Sequence, residues 1–236
     1  MISLFKLLRF LGPTLLFFGT FVVLPPLALS YFNNILDTPL LNIYLGCIAY
    51  SIVIFFTLRR RKFSYSPKDG FVITFLTWVM ISLLASLPFQ NANMVFYDAL
   101  FEAVSGLTTT GSTVIKDLSL FPDHILLYRQ LLQWAGGVGL VIVVLAIIPA
   151  VSGGMKVLQA ETSGFADKSF SPRLRETARS LLKFYVLITI ACVFSYWFVG
   201  MTWFEAFSHS FSTVSILSLI HISEPTRLLS ISYAVL

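Results

Sequence analysis

The residues best suited to chemistry in this 236-residue chain are 105–113, SGLTTTGST, which combine hydroxyl side chains with two glycines. Such a run does not suit a lipid-facing helix, and backbone that leaves a helix at membrane depth must bond to protein, water or an ion. Threonine carbonyl and hydroxyl oxygens can replace the water around a cation, and Gly111 permits a backbone conformation that a side chain opposes. The stretch therefore predicts an ion-selectivity filter.

The composition is that of an integral membrane protein. Hydrophobic residues make up 57% of the chain and charged residues only 11%, which is under half of the charged share of soluble domains, about 25%. The net charge of +5 is not gathered on one soluble face, so nucleic acid is not an expected partner. Cys47 and Cys192 each lie alone in an apolar run, which indicates small buried hydrophobes and neither a disulfide nor a metal site.

Five apolar segments are long enough to cross a hydrocarbon core of about 30 Å. The first follows Lys6 and Arg9 as a signal peptide would, but it is too long and has no cleavage site, so we expect a retained helix. Pro25 and Pro26 are expected to kink its far end. The predicted spans are 11–31, 40–58, 71–89, 125–151 and 184–203.

The charges predict one topology. Of the 16 Lys and Arg residues, 13 lie before the first span or in the segments 59–70 and 152–183, and six of the 11 acids lie in the alternate segments. The positive-inside rule then places the N-terminus in the cytoplasm and requires that 90–124 enters and leaves on one side. We expect 97–107 to be a re-entrant half-helix whose negative dipole end favours a cation. The alternative is an interfacial helix in an outer loop.

A weak internal repeat accompanies these segments. The sequence Asp-Ala-Leu at 98–100 resembles Glu-Ala-Phe at 205–207, and Ser105 matches Ser212 at the same offset of 107 residues. Repeats in membrane proteins place a binding site at their common interface.

Several longer motifs resemble the Trk/Ktr superfamily of potassium transporters, and in particular the Trk-type potassium uptake membrane subunit, over about residues 1–216. They are YDALFEAV, SGLTTTGSTV, LLYRQLLQWAGGVGLVIVVLAIIPAV, AETSGF and RLRETARSLL. The resemblance implies an all-α polytopic membrane protein. Two N-terminal helices would precede repeats of helix, re-entrant pore loop and helix around one pore. Potassium would be the transported ion, its site would be lined by Thr108, Thr109, Thr110 and Gly111, and no cofactor is implied.

The resemblance also divides the chain into five parts. They are an N-terminal hairpin (1–70), a first pore repeat (71–151), a cytoplasmic linker (152–183), a partial second repeat (184–216) and a tail (217–236). A second half-helix, 204–212, would precede a second filter strand that begins near Thr213 and includes Val214 and Ser215. One complete and one partial repeat supply only part of a ring, so we expect that this chain alone does not form a closed pore.

The tail departs from the family pattern. The family has glycines just after the second filter begins, whereas Leu217 and Ser218 stand here, with Ser218 at the offset position of Gly111. His221 and Glu224 lie where an apolar helix is expected. We expect the residues after Ile216 to be foreign to the family, and the alternative is a divergent natural end.

The resemblance implies a multi-pass protein of the bacterial inner membrane, a homodimer in the full-length protein and a cytosolic nucleotide-binding regulatory subunit. Lipid is a further partner, and coupling to protons or sodium stays open. Two other classes compete with transport: a non-transporting remnant or scaffold, and a membrane-embedded enzyme. The sequence offers no recognisable nucleophile with a base and no metal spacing, which disfavours the enzyme.

A few polar or small residues admit two interpretations. Asp98 and Glu102 can concentrate cations at a mouth, or Asp98 can cap the half-helix. Arg129 is a functional candidate because it lies in an apolar helix, or it reaches the interface or pairs with an outer acid. The glycines at 136, 137 and 139 predict close helix packing, since no strand precedes them as in a nucleotide fingerprint.

Overall fold

The computed structural model describes residues 4–58, 67–151 and 170–215, and within these ranges it contains helices and no β-strand. The helices are α1 (Leu4–Phe17), α2 (Leu24–Phe32), α3 (Thr38–Leu58), α4 (Pro67–Asn91), α5 (Phe96–Leu107), α6 (Asp123–Val151), α7 (Phe170–Phe198) and α8 (Trp203–Val214). A π-helical turn, Phe18–Val23, joins α1 to α2, and a short 3-10 turn, Leu118–Leu120, precedes α6. The predicted all-α fold class is confirmed.

Four described helices are long and apolar enough to cross a membrane: Phe5–Phe32, Thr38–Leu58, Asp69–Asn91 and Arg179–Phe198. The 29-residue α6 has a length of about 43 Å, which also suffices. The chain is therefore a multi-pass membrane protein, as its composition predicts.

The first span is helical throughout, although it contains prolines. Pro25 and Pro26 are the second and third residues of α2, which begins at Leu24 directly after the π turn. A proline cannot donate the helical hydrogen bond, and wide π turns are a local adjustment that membrane helices use near such breaks. The expected irregularity thus takes the form of a π turn before the prolines.

The N-terminal hairpin is closely packed through small residues. A Cβ atom on Gly12 would lie 3.2 Å from Ile54, and one on Gly19 would lie 3.1 Å from Cys47. The Ser51 hydroxyl donates to the Gly12 carbonyl across the two helices at 2.8 Å. Small residues let helix backbones approach in lipid. Cys47 is buried as predicted, whereas Cys192 is only partly buried.

One hydrophobic core joins the hairpin to the helices that follow. Tyr128 of α6 is fully buried, and its hydroxyl donates to the Ala85 carbonyl of α4 at 3.1 Å. Its ring lies 5.5 Å from that of Phe89. Val22 and Val23 of the π turn belong to the same cluster, so the predicted units 1–70 and 71–151 share a core.

The repeat predicted from short motifs recurs in the helices. The 12-residue helices α5 and α8 begin and end 107 residues apart, and so do the ends of α4 and α7. Asn93 and Gly200, which hold the same place between the paired helices, both have positive φ angles, 66° and 104°. Thr108 and Ser215 are the matching C-caps.

Some predicted boundaries are wrong. The span predicted over 184–203 ends at Phe198, because the chain turns at Gly200 and α8 begins at Trp203. The linker predicted over 152–183 is helical from Phe170 onward, since 173–183 is rich in Arg, Leu and other good helix formers. The predicted tail, 217–236, lies outside the described residues.

The buried tyrosine gives a test of the shared core. Tyr128→Phe removes one buried hydrogen bond, so we expect a loss of about 1 kcal/mol in the free energy of unfolding. Denaturant titration of the purified chain in detergent measures it. Tyr31→Phe is the matched control because Tyr31 is 69% exposed, and an equal effect of both changes would contradict this role of the Tyr128 hydroxyl.

Candidate ion site

The threonine stretch begins where α5 ends in a Schellman motif. The Thr109 N–H donates to the Gly106 carbonyl at 3.1 Å, and the Thr110 N–H donates to the Ser105 carbonyl at 3.0 Å. Thr109 has φ 55°, the left-handed conformation that this motif usually gives to glycine. A β-branched residue is strained there by roughly 1–3 kcal/mol, and such strain clusters at functional sites.

A second left-handed residue, Gly111 with φ 79°, follows two positions later. The expected filter strand is not a β-strand, since residues 110–115 belong to no regular element. Among the described residues, nothing donates a hydrogen bond to the carbonyls of 108–111. Backbone carbonyls without a protein partner must bond to water or a ligand, so four consecutive oxygens are available.

The threonine hydroxyls at the start of this segment are tied to the helix end. Thr108 Oγ1 donates to the Val104 carbonyl at 2.7 Å and lies 2.7 Å from Thr110 Oγ1. The side chains of Thr108 and Thr110 are exposed in this chain, and Thr109 is partly buried. The segment therefore presents one open side, which any further ligands of a cation would have to complete.

A buried carboxylate fixes the chain just beyond the stretch. Glu102 is only 1% exposed, and its Oε1 accepts hydrogen bonds from the Thr113 hydroxyl and from the Val114 N–H, the latter at 2.8 Å. Its Oε2 accepts from Arg129 Nε at 3.0 Å. The Ser105 hydroxyl donates to the Ser112 carbonyl at 2.5 Å. The loop is thus fastened to α5 through Glu102 and Ser105, and Arg129 ties the same carboxylate to α6.

These contacts decide between the interpretations that the sequence leaves open for Glu102 and Arg129. Glu102 does not lie at a mouth, because it is buried and paired. Arg129 pairs with an acid, which confirms that alternative. The sequence did carry a signal: positions 99, 102, 103 and 106 share one helical face, and three of them are Ala or Gly, which indicates a buried face.

The helix α6 supports the ends of both short helices. A Cβ atom on Gly136 would lie 2.1 Å from the Leu107 carbonyl oxygen, at the end of α5. One on Gly137 would lie 2.5 Å from the Tyr185 hydroxyl and 3.3 Å from Ser215, at the end of α8. The prediction of close packing is confirmed for this glycine pair, and a side chain at 136 would displace the backbone that leads into the threonine stretch.

The second predicted strand is not where the sequence placed it. Thr213 and Val214 are the last residues of α8, and Ser215 is its C-cap. A filter strand that includes Thr213 or Val214 is therefore wrong, because the helix has the same length as α5 and ends at the matching position. By the offset of 107 residues, Ser215 corresponds to the candidate ligand Thr108. The residues that correspond to 109–111 lie outside the described ranges.

The two short helices start differently. Val95 precedes α5 and makes no side-chain cap, so the expectation that Asp98 caps the helix is wrong, and Asp98 lies exposed in the first turn. Thr202 and Glu205 form a capping box on α8. Hydrogen bonds from Thr202 to the carboxylate lower the pKa of Glu205. An acid in the first turn favours either helix through its dipole.

Replacing Gly136 tests whether α6 holds the end of α5. We expect Gly136→Ala to lower the free energy of unfolding by about 1–3 kcal/mol, because the methyl group overlaps the Leu107 carbonyl. Gly139→Ala is the matched control, since its Cβ would make an ordinary contact of 3.5 Å with Trp78. Thermal unfolding of both variants in one detergent checks this, and an equally stable Gly136→Ala protein would contradict the packing argument.

The buried ion pair gives a second prediction. Glu102→Gln leaves the Arg129 charge buried without its counterion, so we expect a loss of about 3 kcal/mol in the free energy of unfolding. Asp98→Asn, an exposed acid on the same helix, should change it by less than about 0.5 kcal/mol. The double variant, Glu102→Gln with Arg129→Gln, should lose less free energy of unfolding than the sum of the losses in the two single variants. Strict additivity of these losses would contradict direct coupling.

Comparison with known proteins finds a matching family model and several similar proteins. The family model described as TrkH, cation transport protein, matches residues 39–221. The chain is 39% identical to the Trk system potassium uptake protein TrkH of Vibrio parahaemolyticus, over 89% of this chain and 44% of that protein. It is 35% identical to the Trk system potassium uptake protein TrkG of Escherichia coli K12, over 82% of this chain and 41% of that protein.

A solved structure is similar as well. The crystal structure of the potassium transporter TrkH from Vibrio parahaemolyticus matches with a TM-score of 0.71 and 37% identity, over 89% of this chain and 43% of that one. This chain thus spans under half the length of the relatives that it matches. The family model covers most of the chain, and the fold agrees with that of a solved relative. The chain therefore belongs to the TrkH family of cation transport proteins.

Proposed function

We propose that residues 108–111 bind potassium as one side of a selectivity filter in a potassium uptake protein. The observation that carries this proposal is the row of four carbonyl oxygens without a described hydrogen-bond donor, which follows the left-handed Thr109. The two relatives described above are named as potassium uptake proteins. The potassium ion is the transported substrate, and no cofactor is proposed.

The physics of ion entry fits this geometry. A potassium ion must lose much of its hydration, and a ring of carbonyl oxygens has to replace that water without holding the ion too tightly. The C-terminal end of the 12-residue α5 carries a partial negative charge of about half an electron, directly before Thr108. One segment supplies one side of a ring, so further strands must complete it.

Contacts at the two ends of the bundle support a re-entrant course for α5. Lys6 pairs with Asp69 at 2.8 Å, which places the starts of α1 and α4 at one end. Asp37 lies 3.1 Å from His124, which places the start of α6 at the other end, beside the loop between α2 and α3. Since α4 crosses between them, α5 and the threonine stretch enter and return on the Asp37 side.

We propose further that the Lys6 end faces the cytoplasm of a bacterium and that the protein lies in the inner membrane. The support is the charge bias of the sequence, in which 13 of the 16 Lys and Arg residues lie before the first span or in the segments 59–70 and 152–183. The threonine stretch then opens toward the outside. A second copy of the subunit and a cytosolic nucleotide-binding regulatory subunit stay predictions from the family resemblance.

A chimera tests the transport proposal, because the chain spans less than half of its relatives. Residues 1–215 replace the matching part of the Vibrio parahaemolyticus transporter in a bacterial strain that lacks its own potassium uptake systems. We expect growth at low potassium. Gly111→Ala should lower the preference for potassium over sodium by about tenfold or more, because a side chain at φ 79° costs roughly 1–3 kcal/mol.

Val114→Ala is the matched control, since the Val114 side chain lies in the same loop and only its backbone N–H bonds to Glu102. It should leave both uptake and selectivity unchanged. A chimera that reaches the membrane but takes up no potassium would support the non-transporting alternative. Unchanged selectivity in Gly111→Ala would contradict the assignment of the filter.

A further inference from the structure

An aromatic cluster of four residues lies where α7 ends and α8 begins. The rings of Trp197 and Trp203 are stacked with their centroids 4.6 Å apart. Phe194 lies edge-on to both rings at 6.5 Å, and the ring of Phe207 lies 6.3 Å from that of Trp203. All four residues are 40% to 49% exposed, so the aromatic cluster is a surface feature and not part of the core.

The matching turn of the first repeat has a different composition. Residues 197–199, Trp-Phe-Val, correspond at the offset of 107 to residues 90–92, Gln-Asn-Ala. Gln90 is hydrogen-bonded within α4, and Ala92 packs against the hydrophobic core. In the second repeat, the last two residues of the three are 79% and 81% exposed. Since the first repeat makes its turn without these aromatic residues, the turn itself does not require them.

The aromatic cluster lies at the end of a membrane span, Arg179–Phe198. Trp197 follows the exposed Arg179 by 18 residues, which is about 27 Å along α7. This length is close to the thickness of a hydrocarbon core, about 30 Å. Leu187 and Ile188, between the two, are exposed apolar residues on the same span. Trp197 therefore lies at one boundary of the membrane when Arg179 lies at the other.

Polar groups adjoin the cluster on its second helix. Thr202 and Glu205, which flank Trp203 in sequence, form the exposed capping box of α8. Among the described residues, nothing accepts a hydrogen bond from the indole N–H of Trp197 or Trp203. Buried or half-buried indole N–H groups usually find an acceptor, so the cluster offers two donors to a ligand that carries acceptor oxygens.

We propose that the aromatic cluster binds the interfacial layer of the phospholipid bilayer, with its rings among the upper acyl carbons and the indole N–H groups at lipid ester or phosphate oxygens. Tryptophan is enriched in this layer because its ring is apolar and its N–H is polar. The proposal goes beyond ion transport and does not depend on the filter assignment.

Two observations favour lipid over a second copy of the chain. The cluster continues the exposed apolar face of α7, which is a membrane span. A protein partner would also cover the exposed carboxylate of Glu205 beside Trp203, and burying that charge costs free energy unless a cation pairs with it. At the lipid interface the carboxylate stays in water.

Binding at this layer has a consequence for the second short helix. The start of α8 at Trp203 belongs to the cluster, and its end at Ser215 lies beside Gly137 of α6. A start held at the interface and an end held by α6 together fix how deeply α8 enters the membrane.

Fluorescence quenching by brominated lipid tests the site in the full chain. Of the four tryptophans, the variant Trp78→Phe with Trp134→Phe keeps only the two in the cluster. Each protein is placed in phosphatidylcholine vesicles brominated either in the upper part of the acyl chains or near their ends. We expect the upper label to quench the cluster about twofold more than the lower label. The matched control, Trp197→Phe with Trp203→Phe, keeps the other two tryptophans and should lose this preference.

Quenching by aqueous iodide and thermal unfolding of each variant are measured in parallel. If the changes at 78 and 134 destabilise the protein, the difference in quenching between the unchanged chain and the control variant reports the same two tryptophans. Equal quenching by both lipid labels, or stronger quenching by the lower one, would overturn the proposal. So would cluster tryptophans that only iodide quenches, since they would lie in water, or that no quencher reaches, since a second copy would then cover them.

Discussion

The buried carboxylate of Glu102 is the contact on which the arrangement of the threonine stretch depends. It accepts hydrogen bonds from the loop at Thr113 and Val114 and forms an ion pair with Arg129 of α6. A charge buried in this way is costly unless it is paired and fully hydrogen-bonded, so the three segments must keep their relative positions. The loop between α5 and α6 is thereby held in place just beyond the threonine stretch.

This support allows a strained backbone to persist. Thr109 holds a left-handed conformation that a β-branched residue seldom adopts. Such a conformation persists only where the surrounding contacts hold the backbone in place. The close approach of Gly136 to the Leu107 carbonyl also contributes, because it packs α6 directly against the end of α5. The strain is in keeping with a segment whose carbonyls serve a ligand and not the fold.

Much of this organisation could be predicted from the sequence, because spans, charge bias and the 107-residue repeat depend on composition and spacing. The packing role of the glycines at 136 and 137 could be predicted for the same reason. The end of α7 could not, since the turn at Gly200 reflects local hydrogen bonds that composition does not encode. The end of α8 at Val214 does follow from the sequence if the offset of 107 residues is applied to the predicted end of α5 at Leu107. The sequence offers several acids as possible partners of Arg129. Only the fold shows that the partner is Glu102, which lies 27 residues away in sequence and also bonds to the loop.

The central claim is that the oxygens of residues 108–111 replace water around a potassium ion. Anomalous diffraction from crystals of the chimera grown with thallium(I), which substitutes for potassium, tests it most directly. The account predicts an anomalous peak within coordination distance of the carbonyl oxygens of Thr108 to Gly111. Thallium peaks elsewhere in the protein with none beside these oxygens would contradict it.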